Sequence, residues 1–193
     1  MLPAGLPTKS EYVEPMTRAP TALALLFLAG TTMLVTGVLA DGRGDWHGYA
    51  WQSIDVADCL PDTVGTRPCP PFHEKWDWKR DQWVDIAVTL DPNEQTVRLR
   101  QQLSDNDRRD TDYVCVTALV LDGDGHNLVA HHQNWLMHGG ESRAADFTYR
   151  SPDLASASRI HIGSKQCRDG AGQDDDAYAA VLARMAPPGE PHG

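Results

Sequence analysis

The side chains best suited to recognition or chemistry fall in two groups. Trp46, Trp51, Trp76, Trp78 and Trp83 crowd one stretch of the chain, and Trp135 stands apart. An indole offers a large apolar face and one N–H donor, so exposed rings stack on sugars or anchor a protein partner. Trp46, Trp51, Trp76 and Trp78 are therefore the candidate contacts, for a protein partner first and a glycan second. In Trp76-Asp77-Trp78 an extended backbone would put both rings on one side. The plainer alternative is that the rings cover the open end of a core. The second group is histidine. His131, His132 and His138 lie close together, with His126 just before them. Neutral imidazole binds zinc or copper, so these three are the alternative metal ligands. Adjacent His131 and His132 point to opposite faces of a strand, however, and share an ion only across a bulge. The plainer alternative is solvated strand and loop histidines.

Catalytic patterns are missing. His73-Glu74-Lys75-Trp76-Asp77 opens like a metalloprotease helix, but Asp77 stands where the second histidine belongs and prolines precede it. Asp122-Gly123-Asp124-Gly125 opens like a calcium loop, but Leu128 and Val129 resume an apolar run, which makes it a hairpin turn. No nucleophile elbow, P-loop or dinucleotide fingerprint occurs. Glu74 and Asp77 are the nearest carboxylate pair, and nothing distinguishes them from other acids. The expectation is a non-catalytic chain with no cofactor.

The formal net charge is −10. Residues 1–40 carry two bases (Lys9, Arg18) and two acids (Glu11, Glu14), so the remainder keeps that whole charge. An acidic surface argues against a nucleic-acid partner, which needs clustered Lys and Arg, and against docking on anionic lipid.

Residues 19–40 are apolar and uncharged, with Arg18 just before them and Val38-Leu39-Ala40 at their end. A basic start, an apolar middle and short residues at the cleavage positions make a signal peptide. Uncleaved, the same segment is long enough to be a single membrane anchor. Met16 offers a second start, because Glu11 and Glu14 are unusual ahead of such a segment. Either way the later residues are expected outside the cytoplasm, periplasmic or secreted. Cys59, Cys69, Cys115 and Cys167 all follow the segment. An even count in an oxidising compartment reads as two disulfides, with three possible pairings. Cys59–Cys69 would close a loop punctuated by proline and glycine, and Cys115–Cys167 would tie a central strand to the last one. This pairing is preferred over a zinc site at Cys59, Cys69 and His73, whose spacing fits no paired C-x-x-C pattern.

Elements must position these groups. Residues 41–82 read as a tryptophan-rich, irregular entry segment holding a disulfide loop and one short strand over 51–56. From Trp83 the apolar period becomes two. Val84, Ile86, Val88 and Leu90 share one face, Asp91-Pro92-Asn93-Glu94 turns, and Val97, Leu99 and Leu103 return opposite Arg98, Arg100 and Gln102. Residues 113–121 are apolar on both faces, as in a central strand. Further strands are expected over 127–132, 144–149 and 158–163. Asp174, Asp175 and Asp176 then precede a short helix ending near Arg184, each charge suiting its end of the dipole. Tyr178, Val181, Leu182 and Met185 would form its packing face. The fold class is all-β: an immunoglobulin-like antiparallel sandwich over 83–186 with a C-terminal helix, then a flexible tail over 187–193.

Residues 84–162 resemble the immunoglobulin-like bacterial envelope domains of the FxLYD and BsuPI type. The resemblance rests on Leu119-Val120-Leu121-Asp122, the turn through Gly125, the outgoing strand, and Gly140-Glu141-Ser142 before Phe147. It implies a sandwich with a non-enzymatic role in the cell envelope, where the partner is another protein. It assigns no site residues.

Overall fold

Alternation along the chain is realised as two packed antiparallel sheets. The computed structural model describes residues 43–185. The export segment over 19–40, its boundary and the tail over 187–193 lie outside the described residues. The strands are β1 (Ala50–Asp55), β2 (Arg67–Pro68), β3 (Phe72–Asp77), β4 (Gln82–Asp91), β5 (Thr96–Asp105), β6 (Thr111–Asp122), β7 (Asn127–His138), β8 (Ser142–Arg150) and β9 (Ala157–Gln166). One helix, α1 (Asp175–Met185), follows. Sheet A has the order β1-β9-β6-β7, and sheet B has β2-β4-β5-β8 with β3 also on β4.

From β4 to β9 this is an immunoglobulin-type Greek key. β4, β5 and β8 make the first sheet, and β6 with β9 forms the centre of the second. The strand that would follow β9 in that arrangement is replaced by β1, paired antiparallel to β9 from Ala50↔Ser164 to Asp55↔Arg159. The chain is thus free after β9 to turn outward and place α1 over β7.

The core lies between the sheets. Val84, Ile86, Val88 and Leu90 of β4 and Val97, Leu99 and Leu103 of β5 face Val114, Val116 and Val120 of β6 and Ile160 and Ile162 of β9. Each such side chain contributes roughly 1.5–3 kcal/mol when fully buried. β6 is buried from Val114 to Leu121, as expected for a strand covered on both faces. Its outer residues Leu119 and Leu121 join Trp46, Ala130 and Val181 in a second, smaller core beneath α1. Leu182 is exposed, so the helix packs through Val181, with Ala177, Tyr178 and Met185 beside it, rather than through the four-residue face expected.

The stretch 41–82 is less irregular than its composition suggests. Beyond β1 it holds β2 and β3, which line the free edge of β4. Pro70 and Pro71 obscure β3 in the sequence, but they lie outside its ladder, where missing donors cost nothing. The two disulfides are Cys59–Cys69 and Cys115–Cys167. The first closes the loop leading into β2, and Arg67 crosses it to donate to the carbonyls of Cys59 (2.9 Å) and Val56 (3.0 Å). The second joins β6 to the residue just after β9.

Candidate functional site

The four candidate tryptophans do not form one surface. Trp46 is buried beneath α1, 5.1 Å from the His132 ring. Trp51 lies across Gly163, its cross-strand partner, and stacks on Tyr49 at 5.1 Å. A Cβ at position 163 would come within 2.8 Å of the Trp51 ring, so only glycine admits that contact. Trp76 is buried in the main core. Trp78 alone is a free ring, 78% exposed. The expectation that Trp76 and Trp78 share a side fails. β3 ends at Asp77 and its ladder shifts register between Lys75 and Asp77, which sends one ring in and leaves the other out.

Trp78 borders a cleft of about 850 Å³. Lys75, Lys79 and Arg168 line it together with Asp77 and Asp169, and Lys79 Nζ stands 5.2 Å from the centre of the Trp78 ring. Its inner wall carries Lys165 and Asp174. Lys165 Nζ lies 2.7 Å from Asp174 Oδ2, donates to the His47 carbonyl at 2.8 Å, and sits 4.8 Å from the Tyr49 ring centre. Tyr49 Oη donates to Asp174 Oδ2 at 3.1 Å. Thr117 Oγ1 continues the chain, 3.1 Å from Tyr49 Oη and 3.0 Å from His132 Nδ1. His132 Nε2 meets the Gln173 carbonyl at 3.2 Å, so that nitrogen carries the proton and Nδ1 accepts when the ring is neutral. Burial pushes the Tyr49 hydroxyl well above its usual range and lowers His132. The network therefore joins one ion pair to the uncharged Tyr49, Thr117 and His132 behind the cleft. Asp174 holds a left-handed backbone, φ 72°, which aspartate tolerates better than most residues.

The metal alternative does not survive the geometry. His131 points between the sheets, with Nδ1 2.6 Å from Tyr149 Oη and its ring 4.5 Å from Phe147. His132 points the other way, under α1, between Trp46 and Tyr178. His138 is exposed at the far end of β7. The three cannot converge on one ion, because neighbouring strand residues alternate faces and β7 has no bulge between His131 and His132. Asp122-Gly123-Asp124-Gly125 is the β6–β7 turn, as expected, and Asp122 Oδ1 accepts from the N–H groups of Asp124 (2.9 Å) and His126 (2.8 Å). His73 and Glu74 lie on β3, so no zinc-protease helix exists there. The His73 ring stacks on Trp83 at 4.5 Å instead.

The chain matches no known family model and no curated protein sequence. Its function is argued from its own residues. The interior behind the cleft was missed by sequence reasoning. Tyr49, Thr117, His132, Lys165 and Asp174 are scattered over five segments, and no local spacing marks them as one group.

A second surface is basic despite the net charge. On the outer face of sheet B, Arg98, Arg100 and Arg150 surround Ala87, Thr89 and Thr148 in a shallow depression of about 690 Å³. Glu94 and Asp146 also line it, which leaves little net positive charge.

Proposed function

We propose that the chain is an exported, non-catalytic binding domain of the cell envelope that recognises another protein through Trp78 and its cleft. The observation that carries this reading is the exposed Trp78 ring, held at the turn after β3 beside Lys75, Lys79 and Arg168. An exposed indole with Lys79 over its ring and further charged side chains beside it suits an apolar anchor with a charged rim on the partner. The two disulfides fit an oxidising compartment outside the cytoplasm, and periplasmic or secreted placement extends that reading. No helix among the described residues is long and apolar enough to cross a membrane. The loose likeness to FxLYD and BsuPI envelope domains supports the same role.

A photo-crosslinking residue at position 78, expressed in the exporting cell, tests the proposal. One discrete adduct is expected from position 78 and none from position 64, where Val64 is equally exposed on a different loop. Adducts of equal yield from both positions, or none from either, would remove the proposal. A second reading is an anionic glycan, favoured by the same cations beside an open aromatic face. It predicts binding to acidic polysaccharide that Trp78→Ala abolishes and neutral polysaccharide does not compete.

A further inference from the structure

The sandwich core is apolar except at one end. There β4 begins, β5 ends, β6 begins and β9 ends. Strand alternation turns Gln82, Asp105, Asp112 and Gln166 inward at that end, in line with Val84, Leu103, Val114 and Ile162. Gln82 and Asp105 are wholly buried and Asp112 is 7% exposed. Gln82 and Asp105 are direct cross-strand partners in sheet B, while Asp112 comes from sheet A.

Each carboxylate uses one oxygen and leaves the other without a partner. Asp105 Oδ1 accepts from the Asp107 N–H at 3.0 Å, and Asp112 Oδ1 accepts from Gln166 Nε2 at 2.5 Å. Asp105 Oδ2, Asp112 Oδ2 and both amide atoms of Gln82, Oε1 and Nε2, are buried with no hydrogen-bond partner. Orphaned buried oxygens of this kind cost free energy and call for an explanation. Arg80, two residues before Gln82, is already engaged. Arg80 reaches Asp107 at 3.0 Å, Asp110 at 3.2 Å and Asp77 at 3.9 Å, and among the described residues no ion pair includes Asp105 or Asp112. Burial raises the Asp105 carboxyl, partly offset by Gln82 and the Asp107 N–H, and the Asp112 and Asp110 charges raise it further.

The loop from 106 to 110 is braced, so the oxygens are held in place. Asn106 N–H donates to the Asp81 carbonyl at 2.9 Å, and Gly140 N–H to the Asp105 carbonyl at 2.8 Å. Gly139 packs so closely that a Cβ there would stand 2.6 Å from the Arg108 backbone.

We propose that Asp105, Asp112 and Gln82 form a binding site for a hard divalent cation, of the calcium or magnesium class. Two carboxylates and an amide turn inward at one end from both sheets, and among the described residues no ion pair neutralises the two acids. Oxygen-only donors select hard cations over zinc or copper. The bound ion would neutralise both carboxylates and clamp sheet A to sheet B at that end.

The test is thermal unfolding of the whole chain at neutral pH, in chelator and in millimolar calcium or magnesium. Wild type is expected to gain about 5 °C in one of the two salts. Asp105→Asn and Asp112→Asn should lose that gain, and Asp124→Asn should keep it, because Asp124 belongs to the exposed turn at the end of β6. No gain in either salt, or a gain lost only in Asp124→Asn, overturns the proposal. If either core variant fails to fold, terbium luminescence excited through tryptophan in the wild type and in Asp124→Asn decides. A signal that calcium displaces, equal in both proteins, supports the site. No signal, or one absent from Asp124→Asn, overturns it.

Discussion

Lys165 Nζ and Asp174 Oδ2 lie 2.7 Å apart, both largely withdrawn from water, and their contact fastens the segment before α1 to β9. A buried pair of this kind gives little net stability over an apolar replacement, but removing one partner strands the other charge. Asp174→Asn is therefore expected to cost about 3–5 kcal/mol in urea unfolding. Asparagine keeps the left-handed backbone allowed, so strain does not account for the loss. The double variant Lys165→Met/Asp174→Asn should recover much of it. A single-variant loss under about 1 kcal/mol would identify the pair as an ordinary surface contact.

Trp78 and Trp76 separate surface from core. Trp78→Ala should leave stability within about 0.5 kcal/mol of wild type. Trp76→Ala should cost about 3–5 kcal/mol, since it empties a large volume in the main core. Iodide quenching checks the same division spectroscopically. The quenchable fraction of tryptophan emission should fall sharply in Trp78→Ala. An unchanged fraction would place another ring in solvent.

How far these features were legible in the sequence follows from their physics. β4, β5 and β6 were legible because burial on one face, or on both, writes a period of two or a continuous apolar run. β3 was hidden because only Phe72 and Trp76 carry its inner face and prolines precede it. β7 runs to His138 rather than His132, because polar Gln133 and Asn134 are absorbed by packing that no local pattern records. The opposed directions of His131 and His132 followed from strand geometry alone. Tryptophan burial did not, since indole is equally at home in a core and at an interface. Asp105 and Asp112 stand just outside the expected strands, which end at Leu103 and begin at residue 113. Their inward direction appears only once β5 is seen to extend to Asp105 and β6 to begin at Thr111.

The two disulfides should differ in worth. Cys59–Cys69 spans 10 residues and Cys115–Cys167 spans 52. Restriction of the unfolded chain grows with loop length, giving about 3 kcal/mol for the first and about 4 kcal/mol for the second. Paired alanine variants measured in urea should follow that order. The longer bridge also holds the approach to α1, where Cys115 Sγ sits 3.7 Å from the Gln173 carbonyl. Its loss should therefore expose Trp46 and shift tryptophan emission to the red, while loss of the shorter bridge should not.

His131 sets a pH dependence whose sign is fixed by its burial. Burial, helped by the neighbouring His132, lowers the imidazole to about 4. Unfolded, the ring titrates near 6.5. Between those values the unfolded chain binds more protons than the folded one, so stability rises with pH across the window. Acidification from about 6.5 to about 4 should remove about 3 kcal/mol, and His132, lowered by burial in the same way, adds to the slope. Asp105 works in the opposite sense, because its raised carboxyl binds a proton more readily folded than unfolded. That effect runs upward from the ordinary carboxylate range and weakens the acid loss there. His131→Gln offers an amide to Tyr149 and Gln101 without a titrating ring. It should flatten the stability profile between pH 4 and 6.5 by about one proton. A profile that keeps its wild-type slope in this variant would move the acid sensitivity to another group.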